Sequence, residues 1–273
     1  MSGRLVVCPT PIGNLEDVTL RVLAALREAD VVACEDTRRT RVLLDRYGVK
    51  AKLLSYHEHN ERRRAGELVS LMRDGAVVAL VSDAGMPLVS DPGLLLVQAS
   101  VAAGLAVEVL PGPSAALAAL VASALPADRW RFEGFLPRKQ ADLTAVFHSA
   151  ETVVAFESPR RLARSLAALA ALDPARPVAV CRELTKIHEE VVRGSAAELA
   201  ARYAASPPRG EVALVIAPAT VSSGADLGPA VDAARRLVSA GARARPAATV
   251  VAELTGASAN AIYRALNDPH PAA

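Results

Sequence analysis

The sequence predicts an α/β protein made of two successive α/β domains, with a small helical segment at the carboxyl end. Three observations predict this. Short β-branched runs alternate with alanine- and leucine-rich stretches from the first residues onward, the rhythm of βαβ units around a mostly parallel sheet. A length of 273 residues suits two compact domains with a substantial buried core. The turn-forming stretch Pro126-Ala127-Asp128-Arg129 breaks the pattern near the middle of the chain.

The first domain is expected over residues 1–124. Its strands are read at Leu5–Cys8, Val31–Cys34, Lys52–Ser55, Val77–Ser82 and Val107–Leu110, with helices near Thr19–Glu28, Thr37–Tyr47, Asn60–Arg73 and Pro92–Ala103, and a last helix from about Pro113 to Ala124. The second is expected over residues 125–217, with strands at Trp130–Gly134, Thr152–Phe156, Val178–Arg182, Glu189–Val192 and Val212–Ile216, and helices near Lys139–His148, Pro159–Ala171 and Ala196–Tyr203. Val178–Arg182 and Glu189–Val192 are close enough in sequence for a hairpin, which makes this sheet mixed. A Pro-, Ser- and Gly-rich stretch, Ala217–Gly228, reads as a linker. Short helices are expected after it, at Gly228–Ala240, Pro246–Thr255 and Ser258–Leu266, within a tail of residues 218–273.

Bulk properties narrow the function classes. With 52% hydrophobic and 22% charged residues the chain has an ordinary globular profile. No apolar run approaches the ~18–20 residues that cross a bilayer, and Met1-Ser2-Gly3-Arg4 lacks the apolar core of a signal peptide, so a cytoplasmic protein without a membrane partner is expected. Cys8, Cys34 and Cys181 are far apart in strand-like contexts and read as small core residues, since neither a disulfide framework nor metal spacing is available. His57 and His59 have no third ligand at suitable spacing, so no metal is expected. A formal charge of +2 does not by itself advertise nucleic acid. Only four of 31 basic residues are lysines, so Lys186 persists against an arginine bias.

The loops after the strands carry the chemistry. Cys8-Pro9-Thr10-Pro11-Ile12-Gly13-Asn14 stands where a nucleotide-binding fold places its glycine-rich phosphate loop, but lacks that motif. Pro9 and Pro11 have no N–H, so the turn loses two of the donors that cradle phosphates, which favours a phosphate-free ligand over NAD or ATP; the same prolines also suit an ordinary stiff turn. Ser82-Asp83-Ala84-Gly85-Met86-Pro87 and Pro111-Gly112-Pro113-Ser114-Ala115 end two further strands of the same sheet, at the edge where open α/β sheets bind ligands. Small residues there let a ligand approach the main chain, and a helix starting at Ser114 offers N–H groups to a carboxylate. An adenosyl amino acid has such a carboxylate, plus a sulfonium that tolerates Asp83 nearby.

The segments C-P-T-P-I-G-N-L-E-D-V-T-L-R, A-C-E-D-T-R-R-T, Y-H-E-H-N-E, V-S-D-A-G-M-P-L-V-S-D-P-G, L-P-G-P-S-A, F-E-G-F-L-P, F-E-S-P-R-R-L and R-E-L-T-K run in order from about Leu5 to Ile216. Together they closely resemble the tetrapyrrole-methylase-like family, in its branch of 2′-O-ribose cytidine methyltransferases of 16S ribosomal RNA. The resemblance implies two α/β domains of the tetrapyrrole-methylase type with the cofactor, S-adenosyl-L-methionine, in the cleft between them, 16S rRNA in the 30S subunit as acceptor, and a homodimer. It places cofactor contacts at Pro11, Ser82, Asp83, Ala84, Gly85, Ser114 and Ala115, and more loosely at Phe156, Glu157 and the Glu183-Leu184 pair. Met86 departs from the threonine usual in that pattern and removes a hydroxyl beside the cofactor loop.

A ribose hydroxyl is poorly acidic, so a base or a stabilising cation assists its methylation. Glu35, Asp36, Glu183 and Lys186 are the catalytic candidates, and spacing does not rank them. Asp36 also fits a plain helix cap. Candidate RNA contacts are Arg38, Arg39, His57, Asn60, Arg62, Arg63, Arg160 and Arg161, although arginines on helix surfaces are often only solvated. The tail arginines Arg235, Arg236, Arg243 and Arg245 extend the same track, and Thr255-Gly256-Ala257-Ser258 has weak helix-turn-helix character. Cofactor loops do not reveal the acceptor, so a small-molecule (corrin or tetrapyrrole precursor) methylase and a non-catalytic RNA-binding protein stand as alternatives.

Overall fold

A computed structural model describes residues 3–219, 227–255 and 257–267. By internal contacts the chain forms two compact units: Met1–Val146 with Thr152–Ala217, which holds both sheets, and Phe147–Glu151 with Pro218–Ala273. In the first unit the order is β1 (Arg4–Cys8), a short 3-10 turn (Leu15–Asp17), α1 (Leu20–Glu28), β2 (Val31–Cys34), α2 (Thr37–Arg46), β3 (Leu53–Ser55), α3 (Glu61–Arg73), β4 (Val77–Val81), α4 (Leu94–Ala102), β5 (Ala106–Val109) and α5 (Ala115–Ser123). Then come β6 (Trp130–Phe135), α6 (Gln140–Phe147), β7 (Thr152–Glu157), α7 (Pro159–Leu172), β8 (Pro177–Arg182), β9 (Glu190–Ser195), α8 (Ala196–Ala205) and β10 (Val212–Ile216).

The first sheet is parallel throughout, in the order β3-β2-β4-β1-β5. Side chains alternate between the faces of a strand, so β1 sends Val6 and Cys8 into one core layer and Leu5 and Val7 into the other. The first layer is closed by α1 and α2 through Val22, Leu26, Leu43 and Leu44, the second by α3 and α4 through Leu68, Met72 and Leu96. Covering on both faces is why β1, β2 and β4 are apolar at nearly every position. Cys8 and Cys34 are buried free thiols of the first layer.

The second sheet is mixed, in the order β6-β7-β10-β8-β9. β6 and β7 are parallel, while β10 pairs antiparallel with both β7 and β8, and β8–β9 is the expected hairpin. α5 follows the last strand of the first sheet but buries Ala116, Ala119 and Leu120 against Val154, Ala179, Cys181, Ala213 and Val215 of the second. The chain therefore crosses between the sheets at Leu110–Ser114, immediately before the α5 amino terminus.

The second unit holds α9 (Gly228–Ser239), α10 (Ala244–Thr255) and α11 (Ala259–Leu266), packed around Ala230, Val231, Ala234, Ala248, Val251 and Ile262. Residues 220–226 of the expected linker and Gly256 of the expected helix-turn-helix lie outside the described residues. Among the boundaries that differ from expectation, three have a plain local reason. α4 starts at Leu94 because Gly93, at φ 137°, is not helical. α10 starts at Ala244, with Pro246 in the first turn, where a missing N–H costs little. β6 continues through a bulge to Phe135.

Candidate active site

The loops after β1 and β4 are stitched together. Thr10 and Gly85 exchange both backbone hydrogen bonds at 2.9 Å, the Thr10 hydroxyl donates to the Ser82 carbonyl at 3.0 Å, and the Ser82 hydroxyl donates to the Gly85 carbonyl at 3.0 Å. Both hydroxyls are buried, and buried polar groups satisfied in this way fix loop geometry. The β8–β9 loop reaches the same place: the Asn14 N–H donates to the Thr185 hydroxyl at 3.0 Å. Gly13 permits this approach, because a Cβ there would lie 2.5 Å from Lys186 Cγ and 3.0 Å from the Leu184 carbonyl oxygen. Glu183 and Thr185 adopt φ of 51° and 66° in that loop, and Leu88 and Ser90 adopt 74° and 66° in the segment after β4. Left-handed backbone at residues other than glycine costs about 1–3 kcal/mol each and gathers at functional sites.

These loops enclose a cavity of about 340 Å³. From the first sheet it is lined by Ile12, by Ala84 to Met86, by Val89 to Asp91 and by Ser114 to Ala116; from the second by Phe135, by Phe156 to Pro159, by Cys181 and Leu184, and by Gly210 to Ala213. Of the eleven residues expected to contact a cofactor, Ala84, Gly85, Ser114, Ala115, Phe156, Glu157 and Leu184 are in the wall, and Glu183 is beside it. Pro11 and Asp83 stand one position outside it and Ser82 two, in the same loops. Ser114 caps α5, its side chain accepting from the Leu117 N–H at 3.4 Å. Glu157 is a structural member of the wall: its carboxylate accepts from the Ser158 N–H at 2.7 Å and the Ser165 hydroxyl at 2.6 Å, with Arg161 at 3.4 Å.

None of the four catalytic candidates lines the cavity. Asp36 caps α2 and takes a two-pronged bond from Arg38, which holds its carboxyl well below the usual carboxylate range. Lys186 bridges Glu183 and Glu211 at 2.8 Å each, and its bond to Glu183 with that from the Glu211 N–H lowers the Glu183 pKa. These two residues tie the β8–β9 loop to the start of β10. Glu35 is raised by burial and then by Asp83, with Arg39 and His57 opposing. The carboxylate that the motifs did not single out is Asp91, which lines the cavity and is pushed up from 3.8 to about 6 by burial, then by Glu35 and Asp83. Its sequence signal was the S-D-P-G stretch after β4, present in the quoted pattern without a role. Phe135 and Glu211 were likewise missed, the first inside F-E-G-F-L-P and the second with no motif around it.

Asp83 accepts the Asp36 N–H at 3.0 Å and faces Arg39 at 3.5 Å, joining the β4 loop to the α2 amino terminus. Asn60 accepts the His57 N–H at 2.9 Å and donates to the Ser55 carbonyl at 3.2 Å, so this pair builds the turn after β3. Arg161 is committed internally, donating to the Leu136 and Pro137 carbonyls at 3.1 and 2.7 Å. Arg63 pairs with Glu67 at 2.9 Å; Arg62 and Arg160 are exposed.

Comparison with known proteins agrees with this architecture. The sequence profile of the Tetrapyrrole (Corrin/Porphyrin) Methylases matches residues 4–200. A Mesorhizobium japonicum protein named ribosomal RNA small subunit methyltransferase I is 47% identical over 268 residues, 96% of this chain and 90% of that one. A Thermotoga maritima protein of the same name is 43% identical over 217 residues, 78% of this chain and 98% of that one. Among solved structures, the Thermus thermophilus uroporphyrin-III-C-methyltransferase superposes with a TM-score of 0.56 at 24% identity, covering 80% of this chain and 94% of that one.

Proposed function

The chain belongs to the tetrapyrrole (corrin/porphyrin) methylase family, within the group of ribosomal RNA small subunit methyltransferase I proteins, and from that premise we propose that it moves a methyl group from S-adenosylmethionine to the ribose 2′-oxygen of a cytidine in 16S rRNA of the small ribosomal subunit. The supporting observation is the single cavity that collects Gly85, Ser114 and Leu184 behind a proline-containing, phosphate-free β1 loop.

The residues present fit that cofactor. The α5 amino terminus at Ser114–Ala116 suits a carboxylate, the wall of Ile12, Met86, Phe156, Leu184 and Ala213 suits an apolar body, and the carboxylates at the sheet edge suit a cation. When bound, S-adenosylmethionine supplies an electrophilic methyl on a sulfonium. The chain's own part is orientation, which supplies much of the rate when reacting atoms are held in line. The apolar wall excludes water. Asp91, in the cavity wall and pushed up to about 6 by burial, accepts the proton of the ribose hydroxyl. Exposed Arg38, Arg39, Arg62, Arg63 and Arg160 take the RNA backbone, with His57, Asn60 and Arg161 shaping the loops beside them.

On the same reading residues 1–124 and 125–217 are two domains, and the protein acts as a cytoplasmic homodimer, paired through apolar side chains left exposed on α4, β5 and α5, among them Val101, Val109 and Val121. Purified protein incubated with 30S subunits and methyl-labelled S-adenosylmethionine is expected to label one cytidine ribose of 16S rRNA. Absence of that label, or labelling of a corrin precursor instead, refutes the assignment.

A further inference from the structure

β6 carries an irregularity with a directional consequence. Phe132 pairs with Val154 of β7, and the next paired residue, Phe135, lies opposite Phe156, so three steps on β6 match two on β7. Gly134 supplies the extra residue at φ 65°, a left-handed value that a side chain disfavours. In a regular strand, residues three apart point to opposite faces. Here both rings meet Phe156 edge to face, with centroids 5.0 Å away for Phe132 and 5.8 Å for Phe135. The bulge therefore turns Phe135 onto the cavity face, where it stays 62% exposed. It also meets the left-handed segment after β4: a Cβ on Gly134 would lie 3.4 Å from the Ser90 hydroxyl oxygen. Ser90 and Asp91 line the same wall as Phe135.

We infer that Phe135 is the platform on which the base of the acceptor nucleotide stacks, holding its ribose toward the cavity. The inference rests on the RNA acceptor proposed above. A flat ring presented at the entrance of a cavity gives a nucleobase a face to stack on, and such stacking is the common device by which proteins hold an unstacked base. Neighbouring Ser90 and Asp91 offer oxygen acceptors to the amine edge of a pyrimidine or to the ribose hydroxyl. Fold stability supplies no reason to expose the ring: only nine of 273 residues are aromatic, and this one is left 62% exposed at the cavity wall.

The test is a Phe135→Ala, Phe135→Leu, Phe135→Trp series, assayed with 30S subunits for kcat and KM, by calorimetry with S-adenosylmethionine, and by sedimentation. Phe135→Ala and Phe135→Leu are expected to raise KM for 30S subunits about tenfold or more. Cofactor affinity, melting temperature and oligomeric state stay at wild-type values, and Phe135→Trp restores KM. A Phe135→Leu enzyme with wild-type KM overturns the inference, since leucine keeps the apolar volume and loses the flat face. So does a loss of cofactor affinity equal to the loss of activity, which would assign the ring to the cofactor, or a change in sedimentation, which would assign it to a subunit contact. Wild-type protein inactive on 30S subunits would instead overturn the acceptor assignment itself.

Discussion

Asp91 shares the sheet edge with two other carboxylates, Glu35 and Asp83, and only Asp83 has a cation in contact, Arg39 at 3.5 Å. Among the described groups no hydrogen bond or ion pair holds the Asp91 carboxylate, so burial and its two acidic neighbours set its titration. Its folded pKa of about 6 lies above the ordinary 3.8, so the native state holds this proton more tightly than the unfolded chain. Stability is therefore surrendered as pH rises between those values, and the full penalty applies above 6. Asp91→Asn removes the penalty. Screening of a partly exposed group holds the gain to about 1 kcal/mol, roughly 2–4 °C in Tm for a chain of this size. Calorimetry is expected to find that gain at pH 8 and to see it vanish below pH 4. Activity moves the other way: kcat/KM falls about 100-fold, and the rise through pH 6 shown by the wild type disappears. An Asp91→Asn enzyme that keeps the wild-type pH profile removes Asp91 from proton transfer.

At the scale of elements, the site is a set of loops whose mutual bonds matter more than their individual sequences. Asp83 shows this, being outside the cavity wall and yet accepting the Asp36 N–H that opens α2. Asp83→Ala leaves that amide without its acceptor, a loss of about 1–3 kcal/mol, readable in urea denaturation. It also loosens the β4 loop, so cofactor affinity measured by calorimetry drops with it. Asp83→Asn keeps an acceptor oxygen and recovers most of both. Undiminished stability in Asp83→Ala would show that the loop holds without this bond. The strand-ending loops were legible because each is a local event: an apolar run, then prolines or small residues at the carboxyl end of a strand. Two features were not. The partner of α5 was hidden because its sequence is apolar on every side, and only packing reveals that Ala116 and Leu120 belong to the second sheet. The β6 bulge was hidden because the direction of Phe135 depends on register against β7, and a strand read as Trp130–Gly134 ends one residue before it. That the catalytic candidates stand outside the cavity wall was hidden for a related reason. Glu183 and Lys186 sit in a motif, but their charges are spent on each other and on Glu211, a residue 25 positions beyond Lys186.

At the scale of the whole molecule, the cavity is built within residues 12–213, so the chain up to Ala217 contains every wall residue. The Thermotoga maritima relative matches over 98% of its own length while covering only 78% of this chain, so a protein of this group exists without room for the remainder. The second unit has its own apolar core and carries Arg235, Arg236 and Arg245 exposed on its helices and Arg243 exposed in the turn before α10. Formal charge over the full chain is only +2, so a local group of four arginines weighs heavily in any attraction to a phosphate backbone. A chain ending at Ala217 is accordingly expected to bind S-adenosylmethionine as the full chain does and to keep its kcat on 30S subunits. Its affinity for those subunits should fall, with a shallower dependence on salt: the slope of log K against log salt drops by roughly 0.7–0.9 for each phosphate the missing arginines neutralise. Filter binding of 30S subunits across a potassium chloride series measures both quantities. Equal slopes for the two chains would exclude the tail from the RNA track. A lost cofactor affinity would mean instead that the second unit supports the cavity, and the division of labour between a catalytic unit and a basic helical tail would fall.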